Sequence, residues 1–204
     1  MKTAVFRALT GSVEVKPEWN QHLECSLRLI QKESPLSGID PGVAQTLREF
    51  HDSDRIYFTP SLKGLARYNG LLGVIQLNPN SLHFLNHDFE HQKRTLGPVC
   101  CSRRMGRIED LHMHALFQLS GILIHEGQHA FRPIRSLLSP KRAMAEDEQA
   151  AFEAEQLWYR HLSRIFDSRY LPELARLGQA AEYDAASAQD YLGLNIVAPT
   201  LLES

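Results

Sequence analysis

Residues 110–132 read DLHMHALFQLSGILIHEGQHAFR, a long run without proline that is closed by Pro133. Proline removes a backbone donor and clashes with the preceding turn, so a helix that starts near Asp110 is expected to end there. The three consecutive apolar residues Ile122, Leu123 and Ile124 predict that this helix is buried. Other elements must then cover it, which limits the fold before any chemistry is considered.

The same run contains His125-Glu126-Gly127-Gln128-His129, the H-E-x-x-H spacing. On an α-helix, positions i and i+4 share a face and are separated by about 6 Å of rise. His125 and His129 are therefore expected to offer two imidazoles to one Zn²⁺. Glu126 is expected to lean over an open coordination position, as a general base. A carboxylate beside three apolar residues is costly without a role, which strengthens that reading. Gly121 lies one turn before His125 on the same face and permits a close neighbour.

A catalytic zinc needs a third protein ligand. Arg132 and Arg135 stand where the metzincin pattern would have glycine and histidine, so that version is excluded. The next long helix offers EDEQAAFEAEQLWYRHL, residues 146–162. Its apolar stripe runs through Ala151, Phe152, Trp158, Tyr159 and Leu162. Glu148 and Glu155 fall in register with the stripe, while Glu146 and Glu153 lie off it. Glu148, nearer the preceding turn, is the expected third ligand. Glu155 is the expected acceptor behind a ligand histidine, and Glu146 is the alternative ligand.

Together, IHEGQHA and the following ExxAFxxE pattern (Glu148, Ala151, Phe152, Glu155) resemble the gluzincin-type zincin metallopeptidases, most closely their small bacterial and effector-type forms. The resemblance covers about residues 57 to 160. It implies a helix supplying two histidines and a base, and a following helix supplying the glutamate ligand. It also implies an edge strand that pairs with an extended substrate; ARYNGLLGVIQLNPN is similar to that strand in type and order. The strand at Gly73–Leu77 is expected to hold the substrate in this way.

The rest of the chain fits one zincin-like domain, residues 1–204, of the α+β class: a small mixed or antiparallel sheet, then the active-site helix and a long ligand-bearing helix. Pro17 opens a helix to about Lys32, and Asp40-Pro41 caps and starts another to about His51. Short strands are expected around Tyr57-Phe58, Leu65–Tyr68 and Gly73–Leu77, and a helix from Asn80 or Ser81 to about Phe89. Helices are also expected from Ser139-Pro140 to about Phe166, from Pro172, and separately from Tyr183 to Tyr191.

A net charge of -2 gives no support for nucleic acid or a membrane surface as the main partner. No apolar run approaches the roughly 18 residues of a spanning helix. The N-terminus lacks a signal-peptide core and cleavage pattern, so the expected location is the cytoplasm, or outside by a route without a cleaved signal peptide. Cys25, Cys100 and Cys101 are odd in number and two are adjacent, which fits a reducing compartment. Cys100 or Cys101 as a thiolate ligand is a minor alternative. Arg103–Arg107 reads as a solvated turn, His83, His87 and His91 as an exposed helix face, and His112 and His114 as core or lining residues.

The function these features point to is a zinc-dependent peptidase acting on a peptide or protein. Tyr183, Tyr191 and the arginines are the candidate oxyanion donors. The alternatives are a zincin-like domain that binds zinc and a peptide or protein partner without catalysis, and a zinc hydrolase of a non-peptide amide.

Overall fold

The computed structural model describes residues 17–79, 108–132 and 140–191. The expected helix at 80–89, the histidines 83, 87 and 91, the 103–107 basic cluster, Cys100 and Cys101 lie outside them. Two helices open the described chain: α1 (Pro17–Ser37) and α2 (Pro41–Asp52). Asp40 caps α2, accepting a hydrogen bond from the Gly42 N–H at 2.9 Å, and Pro41 occupies the first turn, where a missing N–H costs nothing. α1 runs about a turn past Lys32, through Pro35, and gives way at Gly38, whose φ of 82° suits glycine.

Three short strands follow: β1 (Ile56–Phe58), β2 (Ala66–Asn69) and β3 (Val74–Leu77). They form a mixed sheet in the order β1-β3-β2, with β1 parallel and β2 antiparallel to β3. Ile75, Gln76 and Leu77 of β3 pair with both neighbours, and all four β3 residues are buried. The strand at Gly73–Leu77 is thus the centre of the sheet, contrary to the expectation that it is a free edge. β1 and β2 are the two edges of the described sheet. The hydrophobic run GVIQL marks burial on both faces, which is the signature of a central strand. Gly73 turns the hairpin between β2 and β3 with φ 59°.

α3 (Ile108–Phe131) and α4 (Pro140–Ile165) are the two long helices. α3 lies at the middle, packed against α1, α2, α4 and the strands β2 and β3. α5 (Leu171–Tyr191) packs along α4 after a short 3₁₀ turn at Ser168–Tyr170. It is one continuous helix, so the separate element expected at Tyr183–Tyr191 is its last part. No proline follows Pro172 within it, and Gly178 is tolerated inside the helix. The architecture is α+β, with a small sheet against a helical body.

Buried residues from all these layers form one hydrophobic cluster, including Leu27, Leu47, Phe58, Leu77, Phe117, Leu123, Trp158 and Leu162. Full burial of such side chains contributes roughly 1.5–3 kcal/mol each. Polar links through the core are satisfied: the Trp158 indole donates to Ser120 Oγ at 2.8 Å, and His161 meets Glu33 of α1 at 3.1 Å. Gly127 sets the approach of α3 to α2. A Cβ there would lie 2.8 Å from Leu47 Cγ, so glycine leaves room for the Leu47 side chain between the two helices. No described helix is long and apolar enough to cross a membrane.

Candidate metal centre

α3 and α4 meet along the face that carries the histidines. His125 and His129 sit one turn apart on α3, with their Nε2 atoms 3.2 Å from each other. Glu148, near the start of α4, reaches both: its Oε2 lies 3.5 Å from His125 Nε2, and its Oε1 lies 3.6 Å from His129 Nε2. These three residues form a group whose ligand atoms lie within 4.8 Å of one another, the only such group among the described residues.

The spacing suits a small divalent ion. With metal–ligand distances of about 2.0–2.2 Å, neighbouring donors of a tetrahedral site stand roughly 3.3–3.5 Å apart. The 3.2 Å between the two imidazoles falls close to that range, and each Glu148 oxygen stands at a similar distance from one of them. Two imidazoles and a carboxylate are also a donor set suited to zinc. The residues present therefore fit the metal that the sequence implies.

Each imidazole is backed by a carboxylate on its other nitrogen. Asp147 Oδ2 lies 2.6 Å from His129 Nδ1. Glu155 Oε2 lies 3.3 Å from His125 Nδ1, close enough for an ion pair but out of line for a hydrogen bond. The His125 ring also meets Phe152 edge-to-face, with centroids 4.5 Å apart. Glu155 thus stands where the register of α4 puts it. Asp147 is not among the sequence candidates, which are the glutamates of EDEQAAFEAE. The signal was present: a second ligand imidazole needs its own acceptor, and Asp147 is one position before Glu148.

Tyr159 is a second residue that the sequence reading placed only in the core stripe. It is buried beside Glu155, and its ring lies against Gly121. A Cβ at position 121 would collide with the Tyr159 hydroxyl, which identifies the close neighbour that Gly121 admits. A chain of contacts thus runs from Gly121 through Tyr159 and Glu155 to His125.

Glu126 is 6% exposed and lies on the sheet side of the cluster. Its Oε2 accepts a hydrogen bond from the Tyr68 N–H of β2 at 2.5 Å. Burial pushes its carboxyl above the ordinary glutamate range, against the pull of His125, His129 and the Tyr68 N–H. Burial also disfavours the charged form of both imidazoles. The surrounding carboxylates outweigh it, and push His125 up to about 10 through Glu148 and Glu155, and His129 up to about 9 through Asp147 and Glu148. For Glu148 burial is again the opposing effect, and the two imidazoles hold its carboxyl well below the usual range. The surplus of carboxylates makes this a place where positive charge is favoured.

Glu146 is exposed and outside the group of three. Tyr183 and Tyr191 belong to α5, but their side chains lie outside the described residues, as do those of His112 and His114. A cavity of about 770 Å³ opens on the cluster between β2 and the start of α4. It is bounded by Ala66–Leu71 on one side, by Met144, Asp147 and Glu148 on the other, and by His125, Glu126 and His129 at its floor.

Comparison of the chain with models of protein families, with curated proteins and with solved structures finds no match in any of the three.

Proposed function

We propose that this chain is a zinc-dependent metallopeptidase with a zincin-like, gluzincin-type arrangement of its site. The observation that carries the reading is the joint placement of His125, His129 and Glu148 within ligand distance of one another, with Glu126 buried beside them. His125, His129 and Glu148 would hold the ion. Zinc in such a set supplies Lewis acidity, lowering the pKa of water toward about 7 and polarising a carbonyl.

The chain's own groups do the rest. Asp147 and Glu155 fix the orientation of the two imidazoles. Glu126 accepts the proton of the water that attacks the scissile carbonyl and delivers it to the departing amine. Its burial raises its proton affinity, which suits a group that must both take and return a proton. The cavity between β2 and α4 gives an extended peptide room to lie across the cluster. β2 is an edge of the described sheet, so its backbone is the one placed to pair with such a peptide.

Replacing the base tests the reading. Glu126→Gln should keep its metal content and lose peptide hydrolysis by a factor of about 10²–10⁴. Turnover equal to the wild type, with metal bound in both, would contradict the mechanism. Wild-type protein that binds zinc and a peptide yet hydrolyses neither peptides nor small acyl amides would leave a non-catalytic zincin-like binding domain instead.

A further inference from the structure

β2 is joined to β3 through alternate residues. Arg67 and Asn69 stand opposite Gln76 and Val74, and the Leu65 carbonyl accepts the Asn78 N–H at 2.8 Å. Ala66 and Tyr68 therefore turn their backbone groups to the outer edge of the strand. On that edge the Tyr68 N–H donates to Glu126 Oε2. Three buried polar residues, Thr59, Gln76 and Asn78, brace the strand in this place. Arg67 donates to Gln76 Oε1 at 2.8 Å, and Gln76 donates to Thr59 Oγ1 at 3.3 Å. The Asn78 side-chain amide donates to the carbonyls of Leu62 and Gly64 at 2.7 and 3.0 Å, just before β2 begins. On the other face the Tyr68 ring packs against Phe50 of α2, with centroids 6.1 Å apart. Nothing in the metal and proton chemistry described above uses this bracing.

We propose that the Tyr68 backbone N–H is the positioning group of the general base: it holds Oε2 of Glu126 and leaves Oε1 as the oxygen that takes the proton from water. The inference rests on the metallopeptidase reading. The last torsion of a glutamate side chain is broad and roughly two-fold, so the rotamer alone does not set the plane of the carboxylate. Bulk water does not set it either, because Glu126 is buried. The bond from Tyr68 is the one hydrogen bond that Glu126 makes among the described residues. A backbone donor in a braced strand has no rotamer of its own, so it fixes the carboxylate before substrate arrives. An extended peptide that pairs with β2 meets a strand whose Tyr68 N–H is already committed to the base. Peptide and base are thereby registered on one rigid edge.

Replacing the Tyr68 amide by an ester, with the α-hydroxy analogue of tyrosine at position 68, deletes this N–H and keeps every side chain. The test uses zinc-loaded full-length protein, checked for zinc content and cooperative unfolding. On a peptide that the wild type hydrolyses, the ester should lower kcat about 10- to 100-fold and leave KM near the wild-type value. Placed in Glu126→Gln, it should cost little further, because that variant has no base to position. An equal loss in both backgrounds would make the effect one of the sheet and overturn the proposal. So would an unchanged kcat when only the ester is present. A second measurement needs no turnover: the Tyr68 amide proton should resonate downfield in the wild type and move upfield in Glu126→Ala. A resonance indifferent to Glu126 would overturn the contact and the proposal together. Peptides left intact by the zinc-loaded wild type, with the amide shift present, would instead overturn the metallopeptidase reading and the positioning role with it, while the contact itself stands.

Discussion

His129 Nδ1 and Asp147 Oδ2 lie 2.6 Å apart and tie the histidine-bearing face of α3 to the first turns of α4. The contact fixes which nitrogen of His129 faces the cluster, because the Nδ1–H donates to the carboxylate and leaves Nε2 turned toward His125 and Glu148. Glu155 plays the corresponding part for His125 with a longer approach of 3.3 Å. Of the two, Asp147 is the tighter constraint on its imidazole.

Asp147→Asn keeps the size of the side chain and removes the charge behind His129. Zinc affinity should fall about 10- to 100-fold. Competition with a chromophoric chelator measures this. An unchanged affinity would show that Asp147 merely neighbours the site.

Gly127, the first variable position of H-E-x-x-H, is constrained by packing rather than by the metal. In Gly127→Ala the new Cβ would meet Leu47 Cγ at 2.8 Å, inside a fully buried cluster. Relief requires the Leu47 side chain or the two helices to shift, at a cost of about 1–3 kcal/mol. Denaturant unfolding of the two proteins should show that loss, and equal midpoints would contradict the close packing of the helices.

Much of this site was legible in the sequence. Proline at 133 and the apolar run 122–124 predicted a long buried helix, and α3 runs over Ile108–Phe131. The periodicity of residues 146–162 separated Glu148 and Glu155 from Glu146 and Glu153. In the structure the first pair is partly buried and the second exposed. What was not legible is what depends on partners far along the chain. β2 and β3 are both short, and only their pairing decides which is the edge. Asp147 looks like one acid among several until α3 is placed beside it. The end of α1 depends on Gly38 adopting a positive φ, a choice that local composition left open.

The buried pair between α1 and α4 gives a prediction away from the site. The His161 hydrogen bond holds the Glu33 carboxyl below its ordinary value, against burial and with help from Lys32. A group whose folded pKa is depressed contributes stability above its unfolded value, 4.5 for a free glutamate, and loses it as pH falls through the lower folded value. Glu33→Gln should therefore be less stable than wild type at about pH 7, with the gap closing as the pH falls to about 3. Unfolding curves at several pH values measure it. A gap that stays constant with pH would contradict the ionised pair.

The central claim is that His125, His129 and Glu148 together hold one zinc. Elemental mass spectrometry of the metal-replete protein and of Glu148→Ala tests it most directly. The account predicts about one zinc per chain in the wild type, lost or strongly weakened in the variant. A wild type without zinc would reduce His125-Glu126-Gly127-Gln128-His129 to a helix with two histidines. Zinc held fully by the variant would contradict Glu148 as the third ligand.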